Sequence, residues 1–255
     1  MNDFILEFQD VTKKYGSQIA VDSATFSLER GRIYGFVGEN GAGKTTCIRM
    51  MCGLTKADSG KIVLFGDDGS NGAKSLSMKR RKIGALVEQP VFNPFADARE
   101  NLLERGILYG MKCDENRIEK ILERVGLGGC GKKKVRDFSL GMRQRLGIAL
   151  ALIVNPEFLI LDEPMNGLDP MGMISIRRLI QSLCRDSGIT VLLSSHILSE
   201  LEELATDYIF ISGGKILRLA SACDISLKGK SLEKFYLELL GLTEEDIVEG
   251  GKWNA

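Results

Sequence analysis

Short apolar runs, often β-branched, alternate along the chain with stretches whose apolar positions recur every three or four residues. The short runs predict strands over residues 5–8, 33–37, 62–65, 83–87, 158–161, 190–194, 208–211 and 215–219. Several are apolar at nearly every position, as expected of central strands covered on both faces. Helical spacing links Ile118, Ile121, Leu122 and Val125, then Met142, Leu146, Ala149, Leu150 and Ile153, then Met173, Ile176, Leu179, Ile180 and Leu183. Strands followed by crossover helices imply parallel βαβ units and an α/β fold. From about residue 90 to residue 152 the strand signals vanish, which predicts a helical insertion, with a Gly/Lys-rich loop over 126–134 inside it. After residue 219 only a short tail follows. In it Leu232, Phe235, Tyr236 and Leu239 predict one helix, so the chain divides into a main unit over 1–230 and a tail over 231–255.

Composition narrows the class. Hydrophobic residues are 44% and charged residues 27%, which is globular and not disordered. Lys plus Arg and Asp plus Glu are both 34, so no global basic field exists to wrap nucleic acid, and no nucleic-acid partner is expected. The clusters Lys79-Arg80-Arg81-Lys82 and Lys132-Lys133-Lys134 lack interleaved aromatics and read as solvated faces. The six cysteines, Cys47, Cys52, Cys113, Cys130, Cys184 and Cys223, form no C-x-x-C pair, and the single His lies far from most of them. A zinc or redox motif is therefore not expected, and reduced thiols are. Met1-Asn2-Asp3 shows no basic start of a signal peptide. The longest apolar stretch, 147–154, stops at Asn155-Pro156, too short to cross a bilayer. Any membrane role must come through a partner.

Gly38-Glu39-Asn40-Gly41-Ala42-Gly43-Lys44-Thr45 matches G-x-x-x-x-G-K-[ST] between a predicted strand and a helix starting near Thr45. Glycines let successive N–H groups turn inward around phosphate oxygens, and the helix N-terminus adds partial positive charge. Lys44 supplies a full charge to the β- and γ-phosphates, and the Thr45 hydroxyl can ligate Mg²⁺. The plainer alternative is a Gly-rich turn that binds nothing. Phe158-Leu159-Ile160-Leu161 ends in Asp162-Glu163. Asp162 can hold Mg²⁺ through water, and Glu163, one residue further out, can polarise a water for attack on the γ-phosphate. The alternative is an exposed strand end with two solvated acids. A phosphate loop alone leaves kinases, GTPases, helicases and transport ATPases open.

Phe138-Ser139-Leu140-Gly141-Met142-Arg143-Gln144-Arg145 precedes Asp162 and opens a helix. It resembles the ABC signature L-S-G-G-Q, and on it the chain is identified as similar to the ABC ATPase family over nearly its whole length. Ser139 and Gly141 match the family's Ser and second Gly, whereas Leu140 and Met142 depart from its first Gly and its Gln. The S-L-G-M form with Arg143-Gln144-Arg145 resembles the branch that exports bacitracin-type and lantibiotic peptides. Ser139 also suits an ordinary helix cap, and the two roles are compatible.

The resemblance implies a P-loop NTPase core with a mostly parallel sheet, an N-terminal antiparallel β subdomain and an inserted α-helical subdomain. It implies ATP and Mg²⁺ as cofactors. Residues 38–46, ending in Thr46, would hold ATP, with Tyr15 stacking on adenine; a plain surface Tyr is the alternative. His196, which follows a strand through Ser194-Ser195, resembles the switch His at the γ-phosphate. Gly167-Leu168-Asp169-Pro170 resembles the D-loop at a dimer contact. In Val87-Glu88-Gln89-Pro90, Glu88 aligns with the family's metal-contacting Gln, which makes it a third metal candidate beside Thr45 and Asp162 and adds negative charge there.

The implied mechanism is a head-to-tail dimer. ATP on the phosphate loop of one chain is closed over by Ser139 and Gly141 of the other. A separate membrane permease would dock beside the Glu88 segment and the helical insertion, which places the protein in the cytoplasm on the inner face of the membrane. The expected function is ATP hydrolysis driving export of a peptide antibiotic or similar amphipathic substrate. The alternatives are a soluble ABC ATPase acting on ribosomes, DNA or iron–sulfur assembly, and a small-molecule kinase, which would need neither signature nor switch His.

Overall fold

A computed structural model describes residues 4–70, 73–88, 90–112 and 114–242. The opening Met1-Asn2-Asp3, Gln89, Cys113 and the last part of the expected tail lie outside them. In chain order the elements are β1 (Phe4–Tyr15), β2 (Gln18–Glu29), β3 (Ile33–Val37), α1 (Lys44–Met51), β4 (Ser59–Leu64), α2 (Ala73–Arg80) and β5 (Ile83–Leu86). Then follow α3 (Ala98–Leu108), α4 (Glu115–Arg124), two short 3₁₀ turns, α5 (Leu140–Leu152), β6 (Phe158–Asp162), α6 (Pro170–Ser187) and β7 (Thr190–Ser194). The chain closes with α7 (Leu198–Glu202), β8 (Asp207–Ser212), β9 (Lys215–Ser221), α8 (Ala222–Leu227) and α9 (Leu232–Leu240).

The strands form two sheets. One is antiparallel, in the order β2-β1-β4. The other has the order β5-β6-β7-β3-β8-β9, parallel except for β9 at its edge. This is the α/β fold with a mostly parallel sheet and an antiparallel subdomain that the sequence suggests. Side chains on β3 and β6 alternate between two apolar cores, as strand geometry requires. Ile33, Val37, Leu159 and Leu161 face a core shared with α3, α4, α5, α6 and α9. Tyr34, Phe36, Phe158 and Ile160 face one shared with α1 and the antiparallel sheet. Burial on both faces explains why these strands read as unbroken apolar runs.

The expected first strand stops at residue 8, but β1 continues to Tyr15, and β2 was not anticipated at all. For β1 the reason is bulging. Register shifts fall between Phe8 and Val11 and again on to Lys14, and Asp10 and Ser23 take left-handed backbone angles. In β1 each bulge resets the apolar alternation, so a period of two does not persist past Phe8; β2 keeps its period over residues 24–29, beyond the left-handed Ser23, and there the sequence does show the strand. The insertion is helical as expected, and no named strand occurs between β5 and β6 among the described residues. Arginines fasten it. Arg117 donates to the Ile153 carbonyl at the end of α5 (2.6 Å), while Arg145 in α5 donates to the Val125 carbonyl after α4 (3.0 Å) and to the Ser175 hydroxyl in α6.

Part of the basic cluster over 79–82 is not merely solvated. Arg80 reaches the Met51 carbonyl (3.5 Å), and Lys82 and Arg30 both pair with Glu157. No helix among the described residues is long and apolar enough to cross a membrane.

Candidate functional site

β3 is a central strand of the large sheet, and the loop after it, residues 38–43, emerges among the ends of its parallel neighbours. The loop is pressed between backbones. A Cβ on Gly38 would overlap the Ile211 carbonyl at the end of β8. Gly43, with φ +109°, would place one 2.5 Å from the Ala20 carbonyl on β2. Gly43 is the N-cap of α1 and brings no side chain to it, so the first N–H groups of that helix have no side-chain acceptor. Such a helix end is a ready anion site.

Lys44 is buried and lies back over its own loop, donating to the carbonyls of Gly38 (2.5 Å) and Glu39 (3.0 Å). Burial lowers its pKa, opposed by Glu163, Glu39 and Asp162. Gln18 and Ala20 join Glu39, Asn40, Gly41, Gly43, Lys44, Thr45 and Thr46 around a cleft of about 150 Å³ that reaches Asp162 and Glu163. Gly38 and Ala42 do not line the cleft; Ala42 is buried, with its methyl in the core shared with α1 and the antiparallel sheet.

Parallel register builds the acidic end. Asp162 of β6 lies opposite Ser194 of β7. The Ser194 hydroxyl donates to Asp162 Oδ1 (2.5 Å) and accepts from the Glu163 N–H (3.0 Å). The Thr45 hydroxyl lies 3.5 Å from Asp162 Oδ2. Burial raises the Asp162 pKa, the Ser194 hydrogen bond opposes it, and Glu163 and Glu88 raise it further. Glu163 takes a left-handed backbone (φ +49°), accepts from Asn166 Nδ2 (3.0 Å) and lies 3.5 Å from His196 Nδ1. The hydroxyl of Thr45 and the carboxylate of Asp162 are hard oxygen donors that suit Mg²⁺. No cluster of three or more His, Cys, Asp or Glu that could hold a metal exists among the described residues. A cation here would therefore take its remaining ligands from water or substrate, the usual manner for Mg²⁺.

The other expected residues are more dispersed. Glu88, also left-handed (φ +61°), lines a cleft of about 750 Å³ with Thr45, Asp162 and Glu163, but its carboxylate accepts from Arg49 of α1. Tyr15 is 46% exposed at the tip of the β1–β2 hairpin, with the Lys13 ammonium 5.4 Å from its ring centroid and Arg49 within electrostatic reach. It lines neither cleft. Ser139 caps α5, accepting from the Met142 N–H (3.2 Å). Within one chain, Ser139 and Gly141 line neither cleft; they border a separate recess with Gly167, Leu168 and Asp169. Sequence reasoning missed Ser194 and Asn166, which orient the two acids, and Arg49, which neutralises Glu88. Aligning the ends of neighbouring parallel strands would have found Ser194, and the i, i+3 spacing from Glu163 would have suggested Asn166; nothing local marks Arg49.

Comparisons with known proteins follow the same line. A family model described as ABC transporter matches residues 21–166. The bacitracin transport ATP-binding protein of Bacillus licheniformis is 50% identical over 84% of this chain and 68% of its own length. The lantibiotic transport ATP-binding protein of Streptococcus pyogenes is 40% identical over 84% of this chain and 89% of its own. Among solved structures, an ATP-binding subunit of an ABC transporter superposes with TM-score 0.79 at 29% identity, covering 92% of this chain and 99% of its own. A dimeric bacterial ABC transporter cassette gives 0.76 at 25%, covering 85% and 98%.

Proposed function

The chain belongs to the ABC transporter family as an ATP-binding, ATP-hydrolysing subunit, and on that footing we propose how its own residues perform the work and what that work moves. The substrate is a peptide antibiotic or a similar amphipathic compound, exported through a separate membrane permease. Relatives that transport bacitracin and lantibiotics support this reading. They also set aside a non-transport role.

The observation that carries the catalytic reading is the meeting of an uncapped helix start with two adjacent acids. The N–H groups of residues 39–46 and the Lys44 ammonium receive the phosphates; Lys44 gives up its two carbonyl partners to do so. Thr45 and Asp162 would hold Mg²⁺, which would screen phosphate charge. Glu163 accepts the proton of the attacking water, and Asn166 and His196 fix its carboxylate. Glu88 reaches the metal only by leaving Arg49. Tyr15 offers a ring to the base from the hairpin tip.

Ser139 and Gly141 face away from their own chain's clefts, which suits delivery to the ATP of a second copy. The capped N-terminus of α5 then meets the γ-phosphate across the interface. Charge attraction closes the dimer, and hydrolysis removes it. Residues 1–230 act as the ATPase unit, with α9 docked upon it.

The permease sits on the insertion side. Val91, Phe95, Ile107 and Leu108 are exposed there, Val91 at 80% and Leu108 at 81%. Beside them a groove of about 510 Å³ runs between Leu54, Arg105 and Tyr109. A cluster of large apolar side chains left in water marks a protein contact, and this one holds the protein at the inner face of the membrane.

The test is Glu163→Gln in the purified chain. ATP binding persists, while turnover falls by roughly a hundredfold or more, the range for loss of a general base, and a dimer accumulates in size-exclusion chromatography. Turnover at the wild-type rate would remove Glu163 from the chemistry.

A further inference from the structure

Glu39 is an acid inside a loop built to receive a polyphosphate, where its charge opposes the ligand. The fold directs that charge elsewhere. Glu39 Oε1 accepts from the Ser212 hydroxyl (2.9 Å) and the Gly213 N–H (3.2 Å) in the β8–β9 turn. Oε2 accepts from the Tyr236 hydroxyl (2.8 Å), which belongs to α9 near the far end of the chain. Burial pushes the Glu39 carboxyl up, but the hydrogen bonds from Tyr236, Ser212 and Gly213 outweigh it and leave it below its ordinary value. The group is thus a satisfied anion.

The hydroxyl that holds it has little freedom. Tyr236 is 2% exposed, and its ring stacks on Phe210 of β8 with centroids 5.9 Å apart and planes 22° apart. Leu232, Phe235 and Leu237 bury the rest of that helix face. Glu39 is also bound into the loop by its backbone. Its carbonyl accepts from Lys44 Nζ (3.0 Å) and from the Ala42 N–H (3.1 Å). One residue thus links the β8–β9 turn and α9, through its carboxylate, to Lys44, through its carbonyl.

We propose that Tyr236 is a positioning residue of the nucleotide site: its hydroxyl anchors the Glu39 carboxylate toward the β8–β9 turn and α9, away from incoming phosphate oxygens. α9 is then part of the nucleotide-binding apparatus as well as of the core. Freed from Tyr236, the carboxylate swings on the remaining turn donors and repels the triphosphate. The inference rests on the reading of residues 38–46 as the phosphate cradle.

Equilibrium binding of a non-hydrolysable ATP analogue to the full chain tests it, with wild type, Tyr236→Phe, Glu39→Gln, the double variant and Lys44→Ala compared. Tyr236→Phe keeps the ring on Phe210 and removes one oxygen. It weakens binding roughly tenfold, about 1.4 kcal/mol, and the loss grows as salt is lowered, because a bare charge is then less screened. In the Glu39→Gln background the same change costs less than about twofold, since no charge remains to be released. A helix that only supported the fold would give equal losses in both backgrounds, and that result overturns the proposal. Wild-type affinity for Tyr236→Phe, beside a failed Lys44→Ala, also overturns it while leaving the phosphate cradle standing. Undiminished binding by Lys44→Ala would bring down the cradle and the proposal together.

Discussion

Ser194 is the side chain on which both acids of the cleft, Asp162 and Glu163, depend. Its one hydroxyl donates to Asp162 and accepts from the Glu163 N–H. Ser194→Ala removes both at once and leaves a partly buried N–H without its acceptor. The expected loss is about 1–3 kcal/mol of stability, measured by urea unfolding, with a lowered hydrolysis rate in the surviving folded fraction. The Arg49–Glu88 pair gives a contrasting expectation. Arg49 already neutralises the acid, and Glu88→Gln keeps an acceptor for the guanidinium, so ATPase activity persists. An inactive variant would show that the carboxylate itself is needed. Lys44, Thr45, Asp162 and Glu163 were legible in the sequence because each belongs to a short motif whose chemistry is local. Ser194, Asn166, Arg49 and Tyr236 were not. Ser194, Arg49 and Tyr236 act through strand register and packing between distant segments, which no spacing along the chain encodes; Asn166 lies only three residues past Glu163, but a lone Asn in a turn does not announce its partner.

At the scale of elements, the central strands and the long helices stood out because burial on both faces, or along one stripe, writes a clear period. β2 carries a period of two over residues 24–29, with Ala24, Phe26 and Leu28 buried, but that half-polar stretch is a quieter signal than the unbroken apolar runs of the central strands. The contact between α5 and β5 is close enough to test. A Cβ on Gly84 would overlap the Ala151 carbonyl, a backbone atom that cannot rotate aside. Gly84→Ala therefore costs about 1–3 kcal/mol through overpacking, seen as a lowered melting temperature. Ser139→Ala separates two roles of one residue. Loss of the cap costs about 1 kcal/mol of stability. If α5 also meets ATP on a second copy, ATP-dependent dimerisation falls further than that loss accounts for, as read by light scattering.

On the whole-molecule scale, the larger acidic cleft and the exposed apolar side chains adjoin: Pro90 and Phe92 line the cleft, and Val91 between them is exposed. Leu108→Asp puts a charge into the cluster without touching the phosphate loop. Co-purification with the permease is lost, while the isolated chain binds ATP as before; retained co-purification would move the docking face elsewhere. The insertion can carry a signal between these surfaces because of how Arg145 is fixed. One guanidinium fastens the end of α4, the body of α5 and the flank of α6. With the permease docked on the insertion as proposed, a push there would pass to α6 and the turn ahead of it through this one side chain. Lysine at that position lacks the planar fork whose two nitrogens reach Val125 and Ser175 at once, and the coupling between insertion and core would loosen.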